Sequence, residues 1–380
     1  MDRTAIVSVL EEFNKPLQIR EMKIPELKPG QILVKITAAG VCGSDVHMYE
    51  GRDPRLALPM CLGHEGVGQI VEMSGEKQTP LGEKINEGDM VIWNRGVLCG
   101  DCYYCTISRQ PSLCVNRWAY GIHRSVKIPP HLNGCYADHL ILHEKTDIFL
   151  LDDRDSAVYV PASCSGATAA HAFEYARPKL KTGDTVLIQG PGSLGIFLVA
   201  YAKASGAGRI IVTGGTQSRL DMCLEFGATD IINRHNHTPE ETKEIVLSIT
   251  HGFGVDVALE ASGSLGAVTD GMPLVRTGGA YITAGFGEPA GSVEFPWFEN
   301  IVRKNVNLQG VWVSDTRHVL EAVRTVQMNY ENFAKIITHR FSLEESTEAL
   351  ESVASREAVK AVLIPPNKKF MSVKALTLPV

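Results

Sequence analysis

Hydrophobic residues in the first 160 positions fall in short runs, such as Gln31–Ile36 and Gly88–Trp93, separated by Gly- and Pro-rich stretches. Runs of that length bounded by turn residues predict strands, and hence a mostly β unit. From about Lys181 the pattern changes. The apolar run Thr185–Gln189 leads into the glycine-rich stretch Gly190–Gly195, then an apolar helical stretch from about Ile196 to Ser205, then a second run, Arg209–Thr213. Strand, helix and strand in alternation predict a doubly wound parallel sheet, an α/β class. A length of 380 residues exceeds one ordinary core and predicts two units.

The glycines sit where a strand opens into a helix, the context that gives such a motif meaning. Gly190 allows a tight turn, Gly192 lets the backbone approach a pyrophosphate, and Gly195 lets helix and strand pack closely. The helix N-terminus, with Ser193 and Leu194 in the loop, then faces the anion, so a dinucleotide is expected there. The second strand ends without the Asp or Glu that usually holds the adenosine ribose. In its place stands Gly214-Gly215-Thr216-Gln217-Ser218-Arg219, which removes a repelling carboxylate and supplies hydroxyls and a guanidinium, a lean toward NADP over NAD. A plain Gly-Gly turn and an Arg219 stacked on adenine are the alternatives.

The cysteines add chemistry. Cys99, Cys102 and Cys105, followed by Cys114, have the spacing of a closed tetrahedral zinc site with no position left for a substrate. A disulfide framework is the rival reading. The start of the chain, interrupted by Asp2, Arg3, Glu11 and Glu12, does not read as a secretory leader, so a cytoplasmic location and metal ligation are expected. Cys42, His64 and Cys164 form a second set whose count matches a catalytic zinc, three protein ligands and one open position. Cys61, Cys135 and Cys223 lack such company and read as structural.

Composition excludes other classes. A net charge of −6 argues against a nucleic-acid partner, and no apolar run reaches the length of a membrane span.

Cys42-Gly-Ser-Asp45, Gly63-His-Glu65, the four-cysteine lobe, Cys164 and the Gly190–Gly195 loop, in that order, resemble the zinc-containing alcohol dehydrogenases of the medium-chain dehydrogenase/reductase superfamily. The resemblance covers nearly the whole chain. It implies a GroES-like β-rich catalytic domain, residues 1–164 and 315–380, carrying a structural zinc lobe at about 95–116, and a Rossmann domain over 165–314. It also implies two zinc ions per subunit, NAD or NADP, a small-molecule alcohol or carbonyl substrate, and a homodimer or homotetramer. By the same resemblance Glu65 is the acidic neighbour of the catalytic zinc, Asp45 orients the zinc-bound His64, Ser44 and His47 relay the substrate proton, and Lys360 lies near the cofactor phosphates. Zinc would lower the pKa of the alcohol while hydride passes to the nicotinamide. Polyol or inositol-like dehydrogenases, and a non-catalytic nucleotide-binding relative, are the alternatives.

Two features depart from the family's common form. The gap from Cys105 to Cys114 is eight residues, one more than usual, and Cys164 stands where sorbitol-type enzymes usually place a glutamate, which leans the chain toward the alcohol dehydrogenase branch. By position, Asn94 and Arg95 fall where relatives line the substrate pocket. Arg95 is expected either to bind an anionic or hydroxylated substrate or to pair with an acid such as Asp101. Trp118, Tyr120, Trp297 and Trp312 are candidate cleft aromatics, the 115–133 stretch a candidate cap, and the 365–380 tail a candidate subunit contact.

Overall fold

The computed structural model describes residues 3–366, so most of the 365–380 tail lies outside the described residues. Strand Ile32–Val41 is the axis of the N-terminal sheet, bonded to Glu65–Met73 and His139–Leu142. It extends five residues beyond the predicted Gln31–Ile36, through Thr37-Ala-Ala-Gly-Val41, because a bulge between Ile36 and Ala38 lets small residues continue the ladder. Met90–Trp93 and Ile148–Leu150 complete one side of the sheet. The predicted strand at 88–93 starts later because Gly88 turns at φ +94°. A separate three-stranded sheet runs in the order Gln18–Lys23, Thr4–Leu10, Met60–Cys61.

The parallel sheet has six strands in the order Asp230–Asn233, Arg209–Gly214, Thr185–Gln189, Val255–Glu260, Val275–Thr283, Asn307–Gly310. The order reverses at Thr185–Gln189, and such a switch point opens a crevice at the carboxyl ends of the strands. The helix after it runs Ser193–Ala204, three residues earlier than the predicted start, because Ser193-Leu-Gly195 forms its first turn behind Gly192.

The chain then returns. Helix Thr316–Met328, capped by Asp315, packs on helix Ser165–Ala176. Strand Lys360–Leu363 pairs antiparallel with Ile32–Val41 and parallel with Ile337–Phe341, so C-terminal residues complete the N-terminal sheet. One hydrophobic cluster joins the two halves: Ala38, Val67 and Ile92 of the first sheet connect with Ile188 and Val257 of the second through Ala170 and Phe173.

Candidate active site and metal centres

Cys42 follows strand Ile32–Val41 and caps helix Gly43–Tyr49; His64 precedes strand Glu65–Met73; Cys164 caps helix Ser165–Ala176. Three elements thus deliver their first or last side chain to one point, where the ligand atoms of Cys42, His64, Glu65 and Cys164 lie within 4.8 Å of one another. The wholly buried Asp45 accepts from His64 Nδ1 at 3.1 Å and from the Cys42 backbone N–H at 2.9 Å, which turns His64 Nε2 toward the cluster. Ser44 Oγ stands 3.4 Å from that Nε2. Burial, the largest influence on His64, pulls its pKa down, but the carboxylate of Asp45 outweighs it and carries the ring up to about 9. The Cys42 thiol is held well below its ordinary value, chiefly by the hydrogen bond from Cys164, with His64 and Lys360 adding to it against the effect of burial. A polarised thiol beside an oriented imidazole is the donor set a soft divalent ion requires.

Glu65 is fully buried, and both its oxygens lack a well-directed hydrogen bond, as befits a carboxylate beside a cation. Its ion pair is with Lys360, which also donates to the Val41 carbonyl at 3.3 Å. A Cβ at Gly40 would fall 2.2 Å from Glu65 Oε2, so only glycine leaves room for this carboxylate. Lys360 departs from the expectation of a cofactor-phosphate ligand: the pairing of Ala361 with Val41 sets its ammonium across the sheet onto Glu65, where it is 3% exposed.

In the lobe, Sγ–Sγ separations are 3.4 Å for Cys114–Cys99, 3.6 Å for Cys102–Cys105 and 4.0 Å for Cys99–Cys105. A tetrahedron of about 2.3 Å Zn–S bonds has edges of about 3.8 Å, so the four sulfurs fit one zinc. The long 105–114 gap closes through Arg109 at φ +52° and the turn Pro111–Leu113. Burial raises Cys105 to about 12, while backbone N–H groups of Cys105 and Val115 outweigh desolvation at Cys102 and lower it to about 6.

The glycine loop behaves as its spacing predicts. Gly190 has φ +113°, a Cβ at Gly195 would sit 1.9 Å from the Gly190 carbonyl, and a Cβ at Gly192 would meet nothing within 4 Å. The last position is where a ligand can approach the backbone. A crevice of about 410 Å³ extends from Gly190 and Gly192 past Gly214, Gly215 and Thr216 to Arg234 and Arg356. Gly214 has a packing reason as well, since a Cβ there would lie 2.4 Å from Pro191 Cδ. Arg219 donates to the carbonyls of Arg356 and Ala358, so its guanidinium braces the C-terminal segment at the edge of this crevice. A second cleft, about 390 Å³, is lined by Cys42, Ser44, Cys164, Ser193 and Leu194 and thus joins the metal-ligand cluster to the helix N-terminus.

Residues 28–153 match the model of the alcohol dehydrogenase GroES-like domain, and residues 193–327 match that of the zinc-binding dehydrogenase. Sorbitol dehydrogenase from Halalkalibacterium halodurans is 33% identical over 90% of this chain and 94% of its own length. The chain belongs to the zinc-dependent medium-chain alcohol dehydrogenases. Among solved structures, the alcohol dehydrogenase from Thermotoga maritima is 46% identical with a TM-score of 0.93, covering 96% of this chain and 100% of that one. A zinc-binding dehydrogenase from Sinorhizobium meliloti, solved with NADP, has 26% identity and a TM-score of 0.81 over 96% of this chain and 100% of its own. As a member of that family this dehydrogenase acts on alcohols with zinc and NAD(P). A sorbitol dehydrogenase and an alcohol dehydrogenase both stand among its relatives, so similarity does not by itself assign the chain to the polyol or the alcohol branch.

The remaining candidates scatter. Trp312 lines the cleft of the dehydrogenase, Trp297 is 56% exposed, and Tyr120 is buried with its hydroxyl on Thr146. Asn94 accepts from the Gly96 N–H instead of facing the cleft, and Arg95 lines the cleft and forms no pair with Asp101. Of the 115–133 stretch, Arg117 and Ile122 reach the cleft, while Ser125 and Val126 donate to the Pro59 carbonyl and pack the segment onto the β unit. Trp118 lies apart from the cleft, beside Arg124 and Pro129. Sequence reasoning missed Arg55, Arg117 and Glu288. Glu288 accepts from Arg52 at 2.7 Å and stands 2.9 Å from His47 Nδ1, off the line a hydrogen bond needs.

Proposed function

We propose that this chain is a two-zinc, NADP-preferring dehydrogenase of secondary or polyhydroxylated alcohols, working reversibly on the matching carbonyl compounds. The observation that carries the reading is the shared cleft: Cys42 and Cys164, two of the clustered ligands, line the same space as Gly192, Ser193 and Leu194 of the glycine loop. A zinc held by Cys42, His64 and Cys164 would supply Lewis acidity, and a bound nicotinamide would supply the hydride acceptor. The residues do the rest. Asp45 fixes the tautomer of His64; Ser44, beside the ligands, takes the hydroxyl proton; His47, next to Glu288, passes it outward. Lys360 balances Glu65, so the carboxylate remains beside the ion without adding a net charge to the cluster. Four lobe sulfurs hold the second ion, closed to substrate.

The preference for NADP is supported by Arg234, His237 and Arg356 in the adenosine crevice, against the single carboxylate Asp270. All nine cysteines are free, which favours a reducing compartment and hence the cytoplasm. Exposed Trp297, Phe298, Val302 and Leu308, next to or on the edge strand of the parallel sheet, support a homodimer or homotetramer that covers this edge.

Nicotinamide absorbance with zinc-loaded protein, NAD and NADP in parallel, and a panel of primary, secondary, cyclic, polyhydroxylated and acidic alcohols tests the reading. Turnover with NADP at least about tenfold more efficient than with NAD is expected, eroded by Arg234→Ala or Arg356→Ala. Preference for NAD refutes the cofactor assignment, and silence across the panel with both cofactors favours a non-catalytic nucleotide-binding protein.

A further inference from the structure

We propose that the substrate alcohol carries an oxyanion, a carboxylate or a phosphate, bound in the cleft by Arg95 and Arg117 with Arg55 beside them; the proposal rests on the dehydrogenase reading above. The chain as a whole is acidic, at −6, yet no carboxylate side chain lines the cleft that holds Cys42, Ser44 and Cys164. Arg55, Arg95 and Arg117 all do. Of the other cations of the lining, Lys360 is paired with Glu65, Arg219 donates to two backbone carbonyls, with its Nε left without a partner, and Arg356 is exposed and also lines the crevice beside the glycine loop.

The three guanidiniums are not equivalent. Arg55 is paired with Asp53 at 2.8 Å and lies over the Trp312 ring at 5.3 Å, so its charge is already balanced. Arg95 is 7% exposed, and its Nε is buried with no partner; the Nε and Nη2 of Arg117 are likewise buried and unpartnered. Neither forms an ion pair among the described residues. Two cations side by side, with buried N–H groups and no balancing carboxylate, are costly, and hydroxyls of a neutral polyol would satisfy N–H groups without balancing charge. An oxyanion does both, and guanidinium forks match carboxylate and phosphate in shape.

The fold holds the pair in place. Strand Gly96–Val97 pairs with Trp118–Ala119 across the base of the cysteine lobe, which sets Arg95 and Arg117 on one ribbon. The Tyr120 N–H donates to the Arg95 carbonyl at 3.1 Å. A Cβ at Gly96 would come within 2.5 Å of Arg117 Nε, so glycine is what lets that guanidinium cross the ribbon. Burial first, then the charges of Arg95 and Arg55, lower Arg117 to about 9, a strain that a bound anion would relieve. Arg95 and Arg117 line the same cleft as Cys42, Ser44 and Cys164, which puts the oxyanion on the side of the reacting hydroxyl.

The test compares a neutral alditol, the matching aldonate and the matching alditol phosphate in zinc-loaded enzyme with NADP. An independent titration of the aldonate and the phosphate follows tryptophan fluorescence, since Trp312 lines the cleft. Wild type is expected to favour one anion over the alditol by about 10- to 100-fold in kcat/KM, the worth of one or two charge-assisted hydrogen bonds. Arg95→Met and Arg117→Met should collapse that ratio toward one and weaken anion binding to a similar degree, with Arg95→Lys intermediate. A higher rate with the aldonate identifies a carboxylate, and with the phosphate a phosphoryl group. Should the alditol be used as well as both anions, with anion binding indifferent to the variants, the oxyanion proposal falls and the dehydrogenase reading stands. Anion binding that depends on both arginines, with no turnover of any alcohol, upholds the site and overturns the dehydrogenase reading instead.

Discussion

Replacing Asp45 with Asn keeps the volume of a side chain that is fully buried and removes the one charge that orients two metal ligands. The structure sets the scale. His64 at about 9 against an ordinary 6.5 corresponds to roughly 3 kcal/mol in favour of the charged ring, gained against burial, and Asp45 is its main source. In the metal-bound protein the same carboxylate holds the Nδ1 proton of a neutral ring, and losing it is expected to weaken zinc binding by about 10- to 100-fold. The pH dependence separates this account from a general loosening of the site. A ligand must shed its proton to bind the ion, so wild-type zinc affinity should fall by about an extra tenfold per pH unit below 9, as His64 takes up its proton. Without Asp45, burial alone keeps His64 below 6.5, and this extra slope should disappear between pH 9 and 7. Competition against a chromophoric chelator across that range measures both effects. Parallel profiles for the two proteins, or equal affinities at pH 9, would refute the reasoning.

Cys42→Ala should abolish turnover and leave chemical denaturation nearly unchanged, whereas Cys102→Ala should lower the denaturation midpoint, because a closed site contributes more to folding than an open one; a Cys42→Ala protein with full activity would sink the catalytic assignment. Gly195→Ala places a methyl group 1.9 Å from the Gly190 carbonyl and should cost about 1–3 kcal/mol of stability along with dinucleotide affinity, read by urea unfolding and NADPH titration. Arg55 outweighs burial and holds Asp53 below the usual carboxylate pKa, so this pair stabilises the fold above the ordinary range and loses that contribution as pH falls through the lowered value. Asp53→Asn should therefore flatten the acid limb of the stability profile below about pH 4, and an unchanged limb contradicts it.

The parts of the site legible in the sequence are those whose chemistry is local. Four sulfurs within sixteen residues, or glycines at a strand-to-helix turn, constrain each other at short range, and the structure places them as that spacing implies. What escaped depends on distant register. Lys360 reaches Glu65 because a C-terminal strand pairs with Ile32–Val41, and nothing near Lys360 in the sequence signals this partner. The sequence singles out Arg95 but not Arg117, although the ribbon sets them together; the one local hint is that both flank the cysteine lobe. Glu288 meets His47 across 241 residues, beyond any periodicity argument. Gly214 shows the opposite limit: its cofactor reading was available from the sequence, but its contact with Pro191 was not.

Helix Ser165–Ala176 begins at a metal ligand and ends in a core common to both sheets, and its first hydroxyl, Ser165 Oγ, lies 2.7 Å from Ser193 Oγ in the glycine loop. For protein engineering this makes the two halves poor modules. A chimaera that borrows the nucleotide-binding half of a relative to alter cofactor preference must carry this helix and its partner Thr316–Met328 together, or else redesign the apolar seam around Ala170 and Phe173. Cofactor preference is better altered by side-chain exchange at Arg234 and Arg356, on the rim of the crevice and away from the seam.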